Sequence, residues 1–343
     1  MQDRGPDRHK QHRGLTVSAV NWNARNQDRN PCATWLAGFF GRSRGALVCS
    51  GSMALELALL HLGVEPGWRI VVPSNSCPQV AAAVLRCGSI PIIVDTSDTL
   101  LLTGRALQCL DEPPHAVIAV HAWGLPCALA ELRQALGSRV GIIEDAAQAW
   151  GMHTPDNAGA GTADVVVTSM GPDKPLCIDG GGAAFAGADI CAHIDTWSPG
   201  QRERDRPAFA VALSKYALPH IPAAVERAEV RTEHLRRRVP QLVCQLSELG
   251  LAPWSVDGAP PPSWGFVPVR ARDQAEFERL RFAPEAAELG VCAPASLEDL
   301  PMLRDRAVTV RLPATQGRWL LVDPISALAN PGAVERWTKR ARA

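Results

Sequence analysis

One pattern recurs along the first half of the chain and limits what it can become: a short, unbroken apolar run, a turn, then a helical stretch. ALVC leads into GSMALELALLHLGV, RIVVP into CPQVAAAVLRCG, and AVIAVHAWG into ALAELRQALG; PIIVD, VGIIED and ADVVVTSM are further runs of the same kind. Runs that are apolar at every position, instead of at alternate ones, suit strands buried on both faces of a mostly parallel sheet. Leu55, Leu59 and Leu62 recur at helical spacing, and Pro78 suits the first turn of a helix. The expected architecture is α/β, with helices on both faces of the sheet and ligands at the carboxyl ends of its strands.

At 343 residues the chain exceeds one typical domain. Residues 1–30 are polar and are expected to form a mobile arm, with a large α/β domain over 31–220. Beyond Gly187 the texture changes to the charged loop SPGQRERDRP and then to long helical patterns through Gly250. APPPSWG marks a join before FVPVRA, a helix near DQAEFERLRF, RWLLVDPI and a final helix over 331–341. A small α+β domain is therefore expected over 221–343.

Charge and cysteine usage remove several function classes. Lys plus Arg number 35 and Asp plus Glu number 35, so no overall field draws the chain to nucleic acid or an anionic membrane. The opening MQDRGPDRHKQHRG has no apolar core of signal-peptide length, and no stretch reaches a membrane-spanning run, which points to a cytoplasmic protein. Ten cysteines lie between Cys32 and Cys292 with no CxxC pair. That spacing fits neither a metal site nor a disulfide framework and predicts reduced thiols.

Lysine is scarce: of the 35 basic residues only Lys10, Lys174, Lys215 and Lys339 are lysines. Arginine serves wherever a surface cation suffices, so a lysine in mid-chain asks for chemistry that guanidinium cannot do, such as forming a Schiff base or shuttling a proton. Lys174 lies in SMGPDKPL after the run ADVVVTS, ahead of the glycines Gly180, Gly181 and Gly182, which let backbone pass close to a ligand. Lys215, within FAVALSKYAL, reads as an ordinary amphipathic helix face.

Three other stations fall at strand ends. Gly51 and Ser52 open a helix whose amides, with the Ser52 hydroxyl, can cradle a phosphate; a plain helix cap is the alternative. Asp145, in EDAAQ after VGII, can pair with a pyridinium nitrogen, although acids also end strands for solubility alone. Cys77, in PSNSCP, begins a helix, where a thiol can gain nucleophilicity, but no base stands near it in sequence.

Taken in order, GSMALELALLHLGVEPGWRIVVPS, IPIIVDTS, VIAVHAWGLP, IIEDAAQAWG and SMGPDKPL resemble the successive signature blocks of the DegT/DnrJ/EryC1/StrS family, with coverage from about residue 33 onward. The resemblance implies the aspartate aminotransferase-like fold of pyridoxal phosphate enzymes and a homodimer. It implies an aminotransferase that moves an amino group from an amino acid donor to a keto-sugar or related ketone. It makes Lys174 the Schiff-base lysine and Asp145 the partner of the pyridine nitrogen, puts Gln148 beside the cofactor ring, and assigns Gly51, Ser52 and Ser169 to the phosphate.

The chain departs from the family at three places. The aromatic residue that stacks on the cofactor ring is replaced near Cys77, the acid of the glycine run is Gly181 with Asp179 displaced beside it, and no Asn-x-Arg-Met block follows the lysine loop. Ser198 to Tyr216 stands in that block's place, and Arg202, Arg204 and Arg206 within it are candidates for an anionic acceptor, with a solvated surface loop as the alternative. These departures leave two other functions open: a different pyridoxal phosphate reaction (elimination, replacement or decarboxylation), and a non-catalytic partner of an active paralogue.

Overall fold

The computed structural model describes residues 31–96, 98–152, 162–187, 190, 213–254, 265–297, 300–303, 305–310 and 318–342. The expected strands form where the apolar runs lie. They are β1 (Arg44–Val48), β2 (Arg69–Pro73), β3 (Ile90–Val94), β4 (Ala116–Val120), β5 (Gly141–Asp145) and β6 (Val165–Ser169), joined by β7 (Gly182–Ala186) and β10 (Val308–Val310) in one sheet of order β1-β7-β6-β5-β4-β2-β3-β10. Pairing is parallel except on the two sides of β7, which is antiparallel to both β1 and β6. Strands β1, β2, β4, β5 and β6 therefore all point the same way, and their carboxyl ends share one rim with the start of β7.

Most positions in β1 to β7 are buried. Helices cover both faces. On one side α2 (Gly51–His61) packs against α3 (Pro78–Arg86), and on the other lie α4 (Gly104–Gln108) and α5 (Leu129–Leu136). Helix α2 is buried on most of its circumference, not amphipathic. That burial traps Glu56, whose charge is met by the Arg86 guanidinium of α3. Helix α1 (Pro31–Gly38) closes the β1 edge.

The C-terminal part is built on the antiparallel sheet β11-β9-β8, from Arg318–Val322, Val267–Ala271 and Ala252–Pro253. It is packed by α7 (Gln274–Arg281), α8 (Pro284–Glu288), α9 (Pro324–Ala329) and α10 (Pro331–Arg342). The 28-residue helix α6 (Ile221–Glu248) joins the parts: Ile221, Val225 and Ala228 pack with α1 and β7, while Leu235, Val239, Leu242 and Leu246 enter the main core. Strand β10 returns to the large sheet as an edge beside β3. The overall class is the α/β one expected from the sequence, with a small α+β part. No described helix is long and apolar enough to cross a membrane.

Lys215 departs from expectation. It lies in an exposed turn ahead of α6, not on an amphipathic helix face, with its ammonium 5.1 Å from the centre of the Tyr216 ring. The 1–30 arm and the loop holding Arg202, Arg204 and Arg206 lie outside the described residues.

Candidate active site

The shared rim of the sheet collects the strand-end residues in spatial order. Gly51 and Ser52 follow β1, Gly181 and Gly182 open β7, and Ser169 with the lysine loop follows β6. Asp145 and Gln148 come after β5, His121 and Trp123 after β4, and Ser74 to Cys77 after β2.

At the β1 end the helix cap is Ser50, whose Oγ accepts the Met53 amide at 3.1 Å. The capping alternative for Ser52 is thus set aside: Gly51 and Ser52 occupy the first turn, where backbone N–H groups have no intrahelical acceptor and the helix dipole is positive. Strand β7 runs between β1 and β6, yet Gly51 and Ser169 meet across it. A Cβ built on Gly51 would lie 2.7 Å from Ser169 Cβ and 2.9 Å from its Oγ. The meeting is possible because the β7 residue paired with Ser169 is Gly182, which has no side chain and lies directly against the Ser50–Gly51 peptide. Helix amides and the Ser169 hydroxyl thus face one small space.

The lysine loop is closed on itself. Met170 is fully buried; its amide donates to Gly181 O at 2.9 Å, and its carbonyl accepts from Ile178 at 3.0 Å and Gly180 at 3.1 Å. Arg227 of α6 donates to Cys177 O at 3.0 Å. Asp173 adopts a left-handed φ of 62° immediately before Lys174, a strained conformation for a residue with a Cβ. The loop is pinned at both ends and presents a half-buried Lys174.

Asp145 closes β5. Its Oδ1 accepts the Ala147 amide at 2.9 Å. Burial pushes its carboxyl above the usual carboxylate range, against the opposing pulls of that amide and of the Lys174 ammonium, which lies within electrostatic reach. Gln148 turns its carbonyl oxygen to the Trp123 amide at 2.6 Å, which fixes the orientation of its side-chain amide. Trp123 has a φ of 54°, and its own carbonyl accepts from Gly265 at 2.6 Å.

Cys77 is exposed at the start of α3 with no capping bond from its side chain. It is two strands from Asp145, with β4 between them. Sequence reading passes over His121. The only signal for it is a lone imidazole directly after the all-apolar run AVIAV, and its partner Glu144 is hidden inside a strand. In the fold, His121 Nε2 is 2.7 Å from Glu144 Oε1, both residues buried. No metal-binding group of side chains occurs among the described residues.

The donor set suits pyridoxal phosphate at both ends. Helix amides and a serine hydroxyl complement a phosphate dianion. A buried acid whose carboxyl burial pushes upward is favoured in its charged form by a pyridinium beside it.

A model of the DegT/DnrJ/EryC1/StrS aminotransferase family matches residues 16–239. Similar curated proteins include a UDP-N-acetyl-3-dehydro-alpha-D-glucosamine 3-aminotransferase of Acidithiobacillus ferrooxidans, 35% identical over 159 residues, 45% of this chain and 42% of that protein. A UDP-2-acetamido-2-deoxy-3-oxo-D-glucuronate aminotransferase of Pseudomonas aeruginosa is 33% identical over 162 residues, 46% of this chain and 45% of that one. The chain thus matches less than half the length of these relatives. Among solved structures, S. venezuelae DesV superposes with a TM-score of 0.74 at 23% identity, covering 94% of this chain and 93% of that one. Spr1654 of Streptococcus pneumoniae gives 0.74 at 16% identity over 92% of both. These likenesses agree with the fold.

Proposed function

The chain belongs to the DegT/DnrJ/EryC1/StrS aminotransferase family, and on that premise we propose that it is a pyridoxal phosphate aminotransferase carrying an amino group from an amino acid to a keto-sugar or related ketone. The observation that bears most weight is the pairing of a buried, burial-raised Asp145 with a half-buried Lys174 within electrostatic reach of it, beside the amide cradle at Gly51. Pyridoxal phosphate, when bound, supplies a carbonyl that takes up the amino group and a ring that accepts electrons from the donor's α-carbon.

The chain's own residues do the rest. The amides of Gly51 and Ser52 and the hydroxyls of Ser52 and Ser169 hold the phosphate. The Asp145 carboxylate holds a proton on the ring nitrogen, which keeps the ring electron-poor. Lys174 Nζ would hold the cofactor through its carbonyl, and would serve as the base for the donor's α-proton and as the acid that returns a proton on the acceptor side. Gln148 flanks the ring, and Cys77 lies where the family's stacking aromatic stands, so the ring is gripped less firmly from that side. Arg202, Arg204 and Arg206 offer bidentate donors for an anionic acceptor. The working unit is a homodimer in the cytoplasm.

The reading is tested by a half-reaction. Protein loaded with pyridoxal phosphate and mixed with candidate amino donors, without acceptor, should convert cofactor to its amino form and release one equivalent of 2-oxo acid. Absence of conversion with every proteinogenic donor would overturn it. Alanine at Arg202, Arg204 and Arg206 should spare that half-reaction and slow amination of the acceptor.

A further inference from the structure

His121 follows β4 with a buried imidazole that bonds on both sides. The Cys127 backbone amide, which can only donate, points at Nδ1 from 2.9 Å. Nδ1 is therefore the acceptor, and the ring proton resides on Nε2, directed at Glu144 Oε1 at 2.7 Å. Glu144 and Asp145 are consecutive strand residues, so their side chains leave β5 on opposite faces. The His121 backbone amide also donates to Asp145 O at 3.1 Å.

The same turn supplies the Trp123 amide that engages Gln148 at 2.6 Å. A closed circuit results: His121 binds the residue before Asp145 by its side chain and Asp145 itself by its backbone, and it holds the 122–127 turn that orients Gln148. Its Glu144 partner also feels the Arg42 guanidinium and the Cys127 thiol, so the pair is embedded in the charge pattern behind the sheet rim.

We infer that His121 is a positioning residue: bridging Glu144 and the Cys127 amide, it fixes the β5 terminus and the Trp123 turn so that Asp145 and Gln148 face the cofactor ring. The assignment rests on the proposed cofactor site for what Asp145 and Gln148 do, and on geometry alone for the bridge. It requires no contact between His121 and substrate.

Two variants separate the two bonds. His121→Asn keeps an acceptor near the Nδ1 position but cannot reach Glu144, and Glu144→Ala removes the other partner. Glu144→Gln retains an oxygen that accepts from Nε2–H. Affinities for pyridoxal phosphate, pyridoxal and inorganic phosphate are measured by intrinsic tryptophan fluorescence. His121→Asn and Glu144→Ala should each weaken pyridoxal phosphate and pyridoxal by about tenfold, the size of one buried hydrogen bond. The double variant should be no worse than either, Glu144→Gln should stay close to wild type, and inorganic phosphate should bind all of them equally well.

A general loosening of the fold would weaken phosphate too, and that result overturns the inference. Additive losses, or wild-type affinities in His121→Asn, overturn it as well. Should Asn not fold, nitrogen-15 histidine spectra of the cofactor-free wild type decide the bridge: an Nε2–H tautomer is expected, and an Nδ1–H tautomer or a doubly protonated ring at neutral pH refutes it. A wild-type protein that binds phosphate but neither pyridoxal compound refutes the cofactor reading, and this role with it.

Discussion

Gly182→Ala probes the phosphate cradle by crowding its backbone, without removing any group that would contact the ligand. A Cβ at this position lies 2.5 Å from Ser50 O and 2.6 Å from Gly51 N. Carbon and carbonyl oxygen rarely approach closer than about 3.3 Å. The methyl therefore drives the start of α2 and the start of β7 apart by about 0.8 Å. Both neighbours are backbone, so no side chain can swing away. Overpacking of this kind costs about 1–3 kcal/mol of stability, and displacing a binding group by about 1 Å costs on the order of a hundredfold where geometry is tight.

The amides concerned serve only the phosphate, so the loss should be selective. Pyridoxal phosphate and inorganic phosphate should bind roughly ten- to a hundredfold more weakly than to wild type, while pyridoxal should bind nearly as before, all by fluorescence titration. Gly180→Ala is the control: nothing lies within 4 Å of its Cβ, and its φ is not in the left-handed region. It should leave all three affinities unchanged and be neutral or stabilising by about 0.4–1 kcal/mol. Unchanged phosphate affinity in Gly182→Ala, or equal losses for pyridoxal and its phosphate, would refute the cradle.

Two further outcomes follow from burial. Because burial raises the Asp145 carboxyl in the fold, the folded chain holds more protons than the unfolded one between the ordinary carboxylate range and the raised value, so stability falls as pH rises through that window. Cofactor-free Asp145→Asn, which can still accept the Ala147 amide, should melt above wild type at neutral pH, with the gap closing in acid, and should bind pyridoxal phosphate more weakly; a lower melting temperature at pH 7 would contradict this. Cys32 and Cys127 are buried with thiols pushed up to about 12, so both should resist alkylation at pH 8 while exposed Cys77 and Cys109 react. Adding pyridoxal phosphate should slow labelling of Cys77 and not of Cys109, as followed by peptide mass spectrometry; equal rates would remove Cys77 from the site.

The buried parallel strands were legible because each is an unbroken apolar run between turn residues, and four of the strand-end stations reach one rim because parallel strands share a direction. Strand β7 was not. Its sequence GAAFA is small and continues the run begun by Gly180 and Gly181, so it reads as a loop; only its pairing with Ser169 and β1 reveals that small residues there let Gly51 and Ser169 touch. Strand β10 is three residues long and half exposed, too short for periodicity to register. The cap is Ser50 and not Ser52, two positions on, a distinction set by backbone dihedrals that side-chain identity does not carry. Strand alternation separates Glu144 from Asp145 and gives it to His121, a contact between residues 23 apart in the chain that no local pattern marks.

The proposed chemistry depends on one nitrogen atom, Lys174 Nζ. Wild-type protein incubated with pyridoxal phosphate, reduced with borohydride and digested should yield a single modified peptide, the one containing Lys174. Lys174→Ala should yield none and lose turnover, while Lys215→Ala should match wild type, since its ammonium stands over the Tyr216 ring in an exposed turn. Modification at Lys215, or continued turnover in Lys174→Ala, would contradict the assignment outright.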